Sequence, residues 1–523
     1  MMKKYIVLLV LGCLSIALAG YGQRLSVTTP YSGGAPFLEP DPVKLIVKIS
    51  EQEFVALAKV KGGMNSASEF LLEKYDLSLK AVYAVPVSLA ADEDIARFFY
   101  NGVQLVLLTN IHDMVGKKAR LKAYFFDPAS GEKAEDRVLM EETVGNWQPE
   151  RYKGAVKESF KNNIFSYLNQ NFITPVQYQV CLSFSPDSAN ILAYIYDYSQ
   201  KTLVVNTVLF DNQMRQLHEA KVSIDNNFIN YGLYPNNRGE FYILNVDRLG
   251  RVVVVRYDIA SGTNKFLDLQ YSSSVREGLV LRQLNDDVCY VASINVKNGV
   301  MLGVMYTKFN FQTNLVEKIN YYELSNGLKQ TVTAGRSVKQ YVNSQENWKN
   351  YEITHFLINE FEKIILVLEK RELNTGNFSY SGSSVNDIAH WGEKAGRLNT
   401  EAMLLFAFNS QDAIIWENFY LKSQLADVNV GLLGASVELD NTAEGKLRVV
   451  YASAEGSAGT FNTLKYVEWD EYSGSRVKEL DLENKDKLSL MRSHLLWWED
   501  KLLLVGRKGM IGKKTVMNLY DFN

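Results

Sequence analysis

FDPASGEK (Phe126–Lys133), YDIASGTNK (Tyr257–Lys265) and WDEYSGSR (Trp469–Arg476) are three copies of one phrase. In each, an aromatic residue closes an apolar stretch, Asp follows at once, and a Ser-Gly pair comes three residues later. Asp at the head of a turn bonds back to the turn backbone, and Gly accepts a positive φ, so each phrase predicts a tight reversal between two antiparallel strands. The aromatic-Asp or aromatic-Asn head recurs without the Ser-Gly tail at Tyr75-Asp76, Phe210-Asp211, Phe309-Asn310, Phe408-Asn409 and Tyr520-Asp521. The eight copies are separated by 51, 84, 47, 52, 99, 61 and 51 residues.

Upstream of each head lies a strand-like run, such as EFLLEKY from Glu69, RVVVVRY from Arg251 and AMLLFAF from Ala402. A further run precedes it, as in NILAYIY from Asn190, GEFYILNV from Gly239 and KIILVLE from Lys363. Four strands per repeat of about 50 residues is the signature of a β-propeller blade, so the chain reads as all-β, with strands A to D counted outward from the axis and the phrase marking the turn from C to D. Eight phrases imply eight blades, with a seven-bladed ring and one mispaired repeat as the alternative. The eighth phrase is followed only by Phe522 and Asn523, so its blade needs an outer strand from elsewhere. Arg24–Thr29, RLSVTT, belongs to no other blade, and by pairing there it would close the ring and cover an open edge.

Residues 1–22 read as a secretory signal peptide: Lys3 and Lys4, an apolar run from Tyr5 to Ala19, then small residues before Gln23. A rival reading takes Val10-Leu11-Gly12-Cys13 as a lipobox that would anchor the chain by a lipid on Cys13. Residues 23–523 then form one propeller domain, exported to the periplasm, the cell surface or beyond. Loss of the two leader lysines leaves a net charge of about −5, with no basic stripe, which argues against nucleic acid as a partner. No run is apolar and long enough for a transmembrane helix. Cys181 and Cys289 fall in strands of blades three and five, too far apart for a disulfide, and read as buried free thiols.

Added segments in a repeat protein are where binding residues collect. Three interrupt the repeat, over residues 143–175, 328–349 and 372–400. In the first, Tyr152, Val156, Phe160, Ile164, Tyr167 and Leu168 predict an amphipathic helix over Pro149–Gln170 that docks on the propeller itself. The second is polar and ends near Trp348, and the third holds Phe378, Tyr380, His390 and Trp391 among glycines and serines. Because strand direction alternates, all three emerge on one face. Trp147, Trp348, Phe378, Tyr380, His390 and Trp391 are therefore the candidate binding residues, for a protein or a glycan. The competing reading is that these aromatics only pin their own loops.

Catalytic phrases are missing: no H-E-x-x-H, no G-x-S-x-G, no Walker loop, no metal-ligand spacing among His112, His218, His355, His390 and His494. No metal and no cofactor is expected. The first functional expectation is an exported, non-catalytic binding or scaffold protein. The alternative is a propeller enzyme acting on extracellular polysaccharide through carboxylates that converge at the channel.

SFSPDSANILAYIYD, Ser183–Asp197, resembles the blade phrase of TolB and WD40-like propellers, where a Ser-Pro-Asp turn precedes the second strand. The D-x-x-S-G turns are similar to the hairpins of eight-bladed quinoprotein-type propellers, including the outer-membrane assembly scaffold that lost its cofactor. That family's Trp, eight residues after the Asp, is replaced here by Glu135, Phe266 and Lys478, and no adjacent cysteine pair is present. The resemblance thus implies the fold without pyrroloquinoline quinone. The leader ending before Gln23 resembles those of exported proteins of the Bacteroidota.

Overall fold

The computed structural model describes residues 23–28, 45–61, 67–113, 115–145, 180–197, 202–225, 227–247, 249–269, 276–334, 348–374, 397–427, 437–453, 463–482, 495–507 and 515–522. They form eight four-stranded antiparallel sheets arranged as the blades of a propeller. Strand β1 is Gln23–Thr28. Blade one holds β2–β5 (Ile46–Lys48, Glu53–Lys61, Ser68–Asp76, Ala81–Leu89), and blade two β6–β9 (Glu93–Tyr100, Leu105–Asp113, Lys118–Phe126, Lys133–Thr143). Blade three holds β10–β13 (Cys181–Phe184, Asn190–Asp197, Leu203–Asp211, Gln216–Ile224), and blade four β14–β17 (Phe228–Pro235, Glu240–Asp247, Val252–Asp258, Thr263–Asp268). Blade five holds β18–β21 (Arg276–Gln283, Val288–Lys297, Val300–Asn310, Leu315–Glu323). Blade six holds β22–β25 (Tyr351–Ile358, Ile364–Asn374, Arg397–Phe408, Ile414–Asp427). Blade seven holds β26–β29 (Glu438–Asn441, Lys446–Ser453, Thr463–Asp470, Arg476–Leu482), and blade eight β30–β32 (Leu495–Trp497, Lys501–Arg507, Thr515–Asp521) with β1.

Strand composition follows position in the ring. The A strands of neighbouring blades pack on one another, β2 on β6 and β18 on β22, and so form the inner ring. B and C strands are sandwiched between blades and need apolar residues on both faces. Accordingly β11, NILAYIYD, is buried along its whole length except its last residue. The outer β21, LVEKINYYE, alternates exposed and half-buried residues, because one of its faces meets water. The core is thus a series of inter-blade layers; between blades five and six Ile364, Leu366, Leu404 and Phe406 pack against Tyr306, each residue worth about 1.5–3 kcal/mol by burial.

The C-to-D turns are built as their sequence predicts. Asp76, Asp127, Asp211, Asp258, Asn310 and Asn409 each accept the backbone N–H two residues on, at 2.7 to 3.0 Å, and Asp470 accepts that of Ser473. Gly131, Gly262 and Gly474 take φ of 76°, 69° and 69°. In six blades the ladder slips by one residue beside the aromatic of the phrase, a recurrent β-bulge. A second set of side-chain-capped turns joins A to B strands, headed by Ser50, Asn101, Ser185, Asn236, Asn285, Asn359 and Thr442. The Ser-Pro-Asp turn is one of these and precedes the second strand of blade three, as expected.

Six outer strands also reach to the next blade. Tyr83, Arg137, Lys265, Asn320, Asn418 and Lys478 donate to the carbonyls of Pro128, Gln213, Phe311, Asp412, Gly474 and Phe522, all beyond the C strand of the following blade. From blade three to four the link runs instead from Asn190 to the Asn237 carbonyl.

The ring closes as anticipated: β1 pairs antiparallel with β32, from Gln23 opposite Asp521 to Thr28 opposite Val516. No disulfide joins Cys181 and Cys289; Cys289 is buried and Cys181 only half-buried because it starts an innermost strand. The helix predicted over Pro149–Gln170, the leader and Cys13 lie outside the described residues. One α-helix is described, α1, Asn326–Ala334. It opens the segment read as polar loop, and two apolar residues four apart make it: Leu328 and Val332 are buried in the layer between blades five and six, and Ser325 caps its first turn.

Candidate functional site

The two faces of the ring differ in what connects the strands. A-to-B and C-to-D connections share one face, and each has three to six residues. B-to-C and D-to-A connections share the other. There 37 residues separate β9 from β10, 27 separate β21 from β22, and 22 separate β23 from β24. All three predicted insertions therefore emerge on the same side. Blade six is also the tallest blade, with strands of 11, 12 and 14 residues in β23, β24 and β25, so its long connection starts from a raised base.

That base contains a buried ion pair. Lys422 Nζ lies 3.0 Å from Glu369 Oε2, and both side chains are fully buried. Lys422 also donates to Gln424 Oε1 at 2.6 Å, which accepts from Thr400 Oγ1 at 3.0 Å. The second Glu369 oxygen accepts the Val437 N–H of blade seven at 3.2 Å. Charges removed from water are tolerated when paired and hydrogen-bonded; the Lys422 and Glu369 charges are so held, Gln424 Nε2 is left without a partner among the described residues, and the network ties strands B, C and D to the next blade.

The candidate binding residues are distributed as follows. Phe378, Tyr380, His390 and Trp391 fall between β23 and β24, and Trp147 between β9 and β10, all outside the described residues. Trp348 is 9% exposed and lies 6.4 Å from the Tyr351 ring in the layer beneath α1, so it supports the face from below. On the same face, Glu141 is held below the ordinary carboxylate range by hydrogen bonds from Lys118 and Arg120. Glu142, bonded by the Asn206 amide at 3.1 Å, is raised by burial.

A cleft of about 250 Å³ opens on the opposite, short-turn face, between the inner ends of blades five, six and seven. Arg282 and Gln283 of β18, Phe356–Asn359 of β22 and its turn, Lys363, Ile365, Asn441 and Glu471 line it. Glu471 is its single carboxylate and is 3.0 Å from Lys363 Nζ, so the cleft does not supply the carboxylate pair that glycoside cleavage requires. Sequence reading missed this cleft because its residues come from three repeats and share no phrase. His112 stands 3.2 Å from Asp94, away from the cleft. Among the described residues no group of three or more His, Cys, Asp or Glu is placed to hold a metal.

No family model matches the chain, and no curated protein does. Among solved structures it is similar to Chaetomium thermophilum Sqt1 bound to the N-terminus of ribosomal protein L10, at 11% identity and a TM-score of 0.44, covering 95% of this chain and 100% of that one. It is similar to the polysaccharide lyase Uly1 at 10% identity and a TM-score of 0.39, covering 96% and 100%. For TolB from Acinetobacter baumannii the values are 10%, 0.28, 82% and 80%. The chain spans only 56% of the length of a prolyl endopeptidase to which it is similar at 8% identity and a TM-score of 0.39. Similarity at these levels carries no activity with it; the eight blades are read from the chain's own sheets.

Proposed function

We propose that this chain is an exported, non-catalytic propeller that recognises a protein or glycan through the face bearing the long connections. The observation that carries the reading is the one-sidedness of the connections: every long one leaves the same face, and the one that holds Phe378, Tyr380 and Trp391 starts from the tall strands of blade six. Phe378, Tyr380, His390 and Trp391 supply the ring faces and the hydrogen-bonding group that such recognition uses, with Trp147 on the connection between blades two and three and Trp348 buried between blades five and six. Export to the periplasm or cell surface rests on the leader-like residues 1–22.

The test pairs a glycan array with capture from bacterial envelope extract, using the wild type and a Tyr380→Ala, Trp391→Ala double variant of the same melting temperature. A glycan or protein retained by the wild type and lost by at least about tenfold in the variant supports the reading. Equal retention by both, for every partner found, overturns it.

A further inference from the structure

The cleft on the short-turn face is unlike the rest of the molecule in its charge. Nine described arginines, Arg120, Arg137, Arg215, Arg238, Arg251, Arg256, Arg371, Arg448 and Arg476, have a carboxylate within 4.0 Å. Arg97 lies over the Phe184 ring at 5.1 Å. Arg282 has neither. Its Nε donates to the Phe356 carbonyl at 3.1 Å, which ties the base of the guanidinium to blade six and leaves both Nη groups at the cleft wall without a partner among the described residues.

The other cation there is neutralised. Lys363 Nζ contacts Glu471 Oε1 at 3.0 Å and the Glu471 carbonyl at 2.6 Å, and stands 4.5 Å from the centre of the Tyr472 ring. Because the Lys363 and Glu471 charges cancel, the cleft is left with one net positive charge, that of Arg282. Around it are the amides of Asn359, Asn441 and Gln283, the last donating to the Pro235 carbonyl at 2.8 Å, and the remaining wall is Phe356, Leu357, Ile358 and Ile365. A guanidinium tethered through Nε presents its two outer donors as a fork that a carboxylate fills with two parallel bonds. The volume is that of about eight water molecules, which admits a body of six to ten carbons.

We propose that this cleft binds a small organic monocarboxylate, with the carboxylate on the Arg282 fork and the apolar body against Phe356, Ile358 and Ile365. The site is separate from the long-connection face and independent of what binds there. Titration calorimetry of the full-length mature protein with hexanoate, and with hexan-1-ol and hexylamine as neutral and cationic controls, tests it. Hexanoate binds saturably and at least about tenfold more tightly than either control, Arg282→Gln loses about that factor, and Arg282→Lys keeps part of it. Trp391→Ala leaves hexanoate affinity unchanged. Hexanoate affinity no greater than that of hexan-1-ol in the wild type, or unchanged in Arg282→Gln, overturns the proposal. Should Arg282→Gln fail to fold, the wild type alone decides: raising sodium chloride from about 20 mM to about 500 mM weakens hexanoate and not hexan-1-ol, and an equal response of the two overturns the proposal.

Discussion

The two faces of the ring carry the same number of strand ends and treat them differently. On the short-turn face, Asp, Asn, Ser or Thr caps nearly every reversal, and side chains from one blade hold carbonyls of the next. On the other face the strands end at unequal heights and the connections range from two residues after β19 to 37 after β9. Local turn chemistry therefore fixes one side, and the layers between blades leave the other free to accept extra chain. Stability and recognition are expected to separate along that division.

The sharpest challenge is to the ring on which both faces stand. Deleting Gln23–Thr28 strips the outer edge of β32, which stays paired only with β31, and against a total of about 5–15 kcal/mol the loss of closure should remove most of the cooperative stability. Hydrogen exchange reads it directly: amides of Thr515–Tyr520 are protected in the intact chain and exchange rapidly in the deletion. Unchanged protection there would mean that β1 is not what closes blade eight.

Next in size is the buried pair under the long blade-six connection. Lys422→Met should cost about 3–5 kcal/mol in urea unfolding, since Glu369 is left charged and buried, whereas Lys422→Met with Glu369→Leu should recover much of that loss. The result would place framework on both faces and limit the freedom of the long-connection side to the chain beyond the pair.

The C-to-D turns make a graded series. A methyl group on Gly474 would stand 2.5 Å from the Trp416 ring and one on Gly131 2.5 Å from the Tyr83 ring, while at Gly262 nothing lies within 4 Å. Gly262→Ala should cost about 1 kcal/mol through its positive φ, and Gly131→Ala and Gly474→Ala about 2–3 kcal/mol, by chemical denaturation. Equal costs at all three would show that the inter-blade contacts of these turns contribute nothing.

Glu73 tests the layer beside the closing blade. It is buried, receives the Tyr75 hydroxyl, and its Oε2 has no partner among the described residues; burial raises its pKa above the ordinary carboxylate range. The folded state thus holds this proton more tightly than the unfolded state, and stability falls as pH rises from the ordinary glutamate value to the raised one. Glu73→Gln should therefore raise the melting temperature at neutral pH, by the equivalent of about 1–2 kcal/mol, and have no effect at pH values below the ordinary glutamate range. A gain of the same size at both pH values would remove the titration from the account. Smallest of all, Trp391→Ala should change stability by less than about 0.5 kcal/mol, since it lies in a connection outside the four-stranded repeat.

The fold was legible because the C-to-D turn combines three constraints in adjacent positions: an aromatic at a bulge, a capping Asp or Asn, and often a Gly with positive φ. The A-to-B turns are capped just as regularly but use Ser, Asn or Thr, with an aromatic directly ahead only at Tyr100-Asn101 and Phe184-Ser185, and that variety hid them. Segment 328–349 read as polar because Leu328 and Val332 are too few to reveal a helix against its average composition, although Ser325 three residues before Leu328 was a usable capping signal. The candidate binding aromatics were nameable from the insertions. Arg282 was not, since its lack of a partner becomes visible only when blades five, six and seven stand side by side.

The pairing of Gln23 with Asp521 also bears on how the chain folds. Seven blades consist of neighbouring strands, and each can assemble from contacts close in sequence. Blade eight requires two segments separated by nearly the entire polypeptide, with the largest loop-closure entropy in the molecule, and that cost is met only after the intervening blades have drawn the ends together. The last event on the folding path should therefore be the docking of β1, and until then both β1 and β32 are unsatisfied edges open to pairing with another chain. A circular permutant that joins Phe522 to Gln23 and breaks a D-to-A connection would make all eight blades local, and should refold faster and with less aggregation at equal final stability.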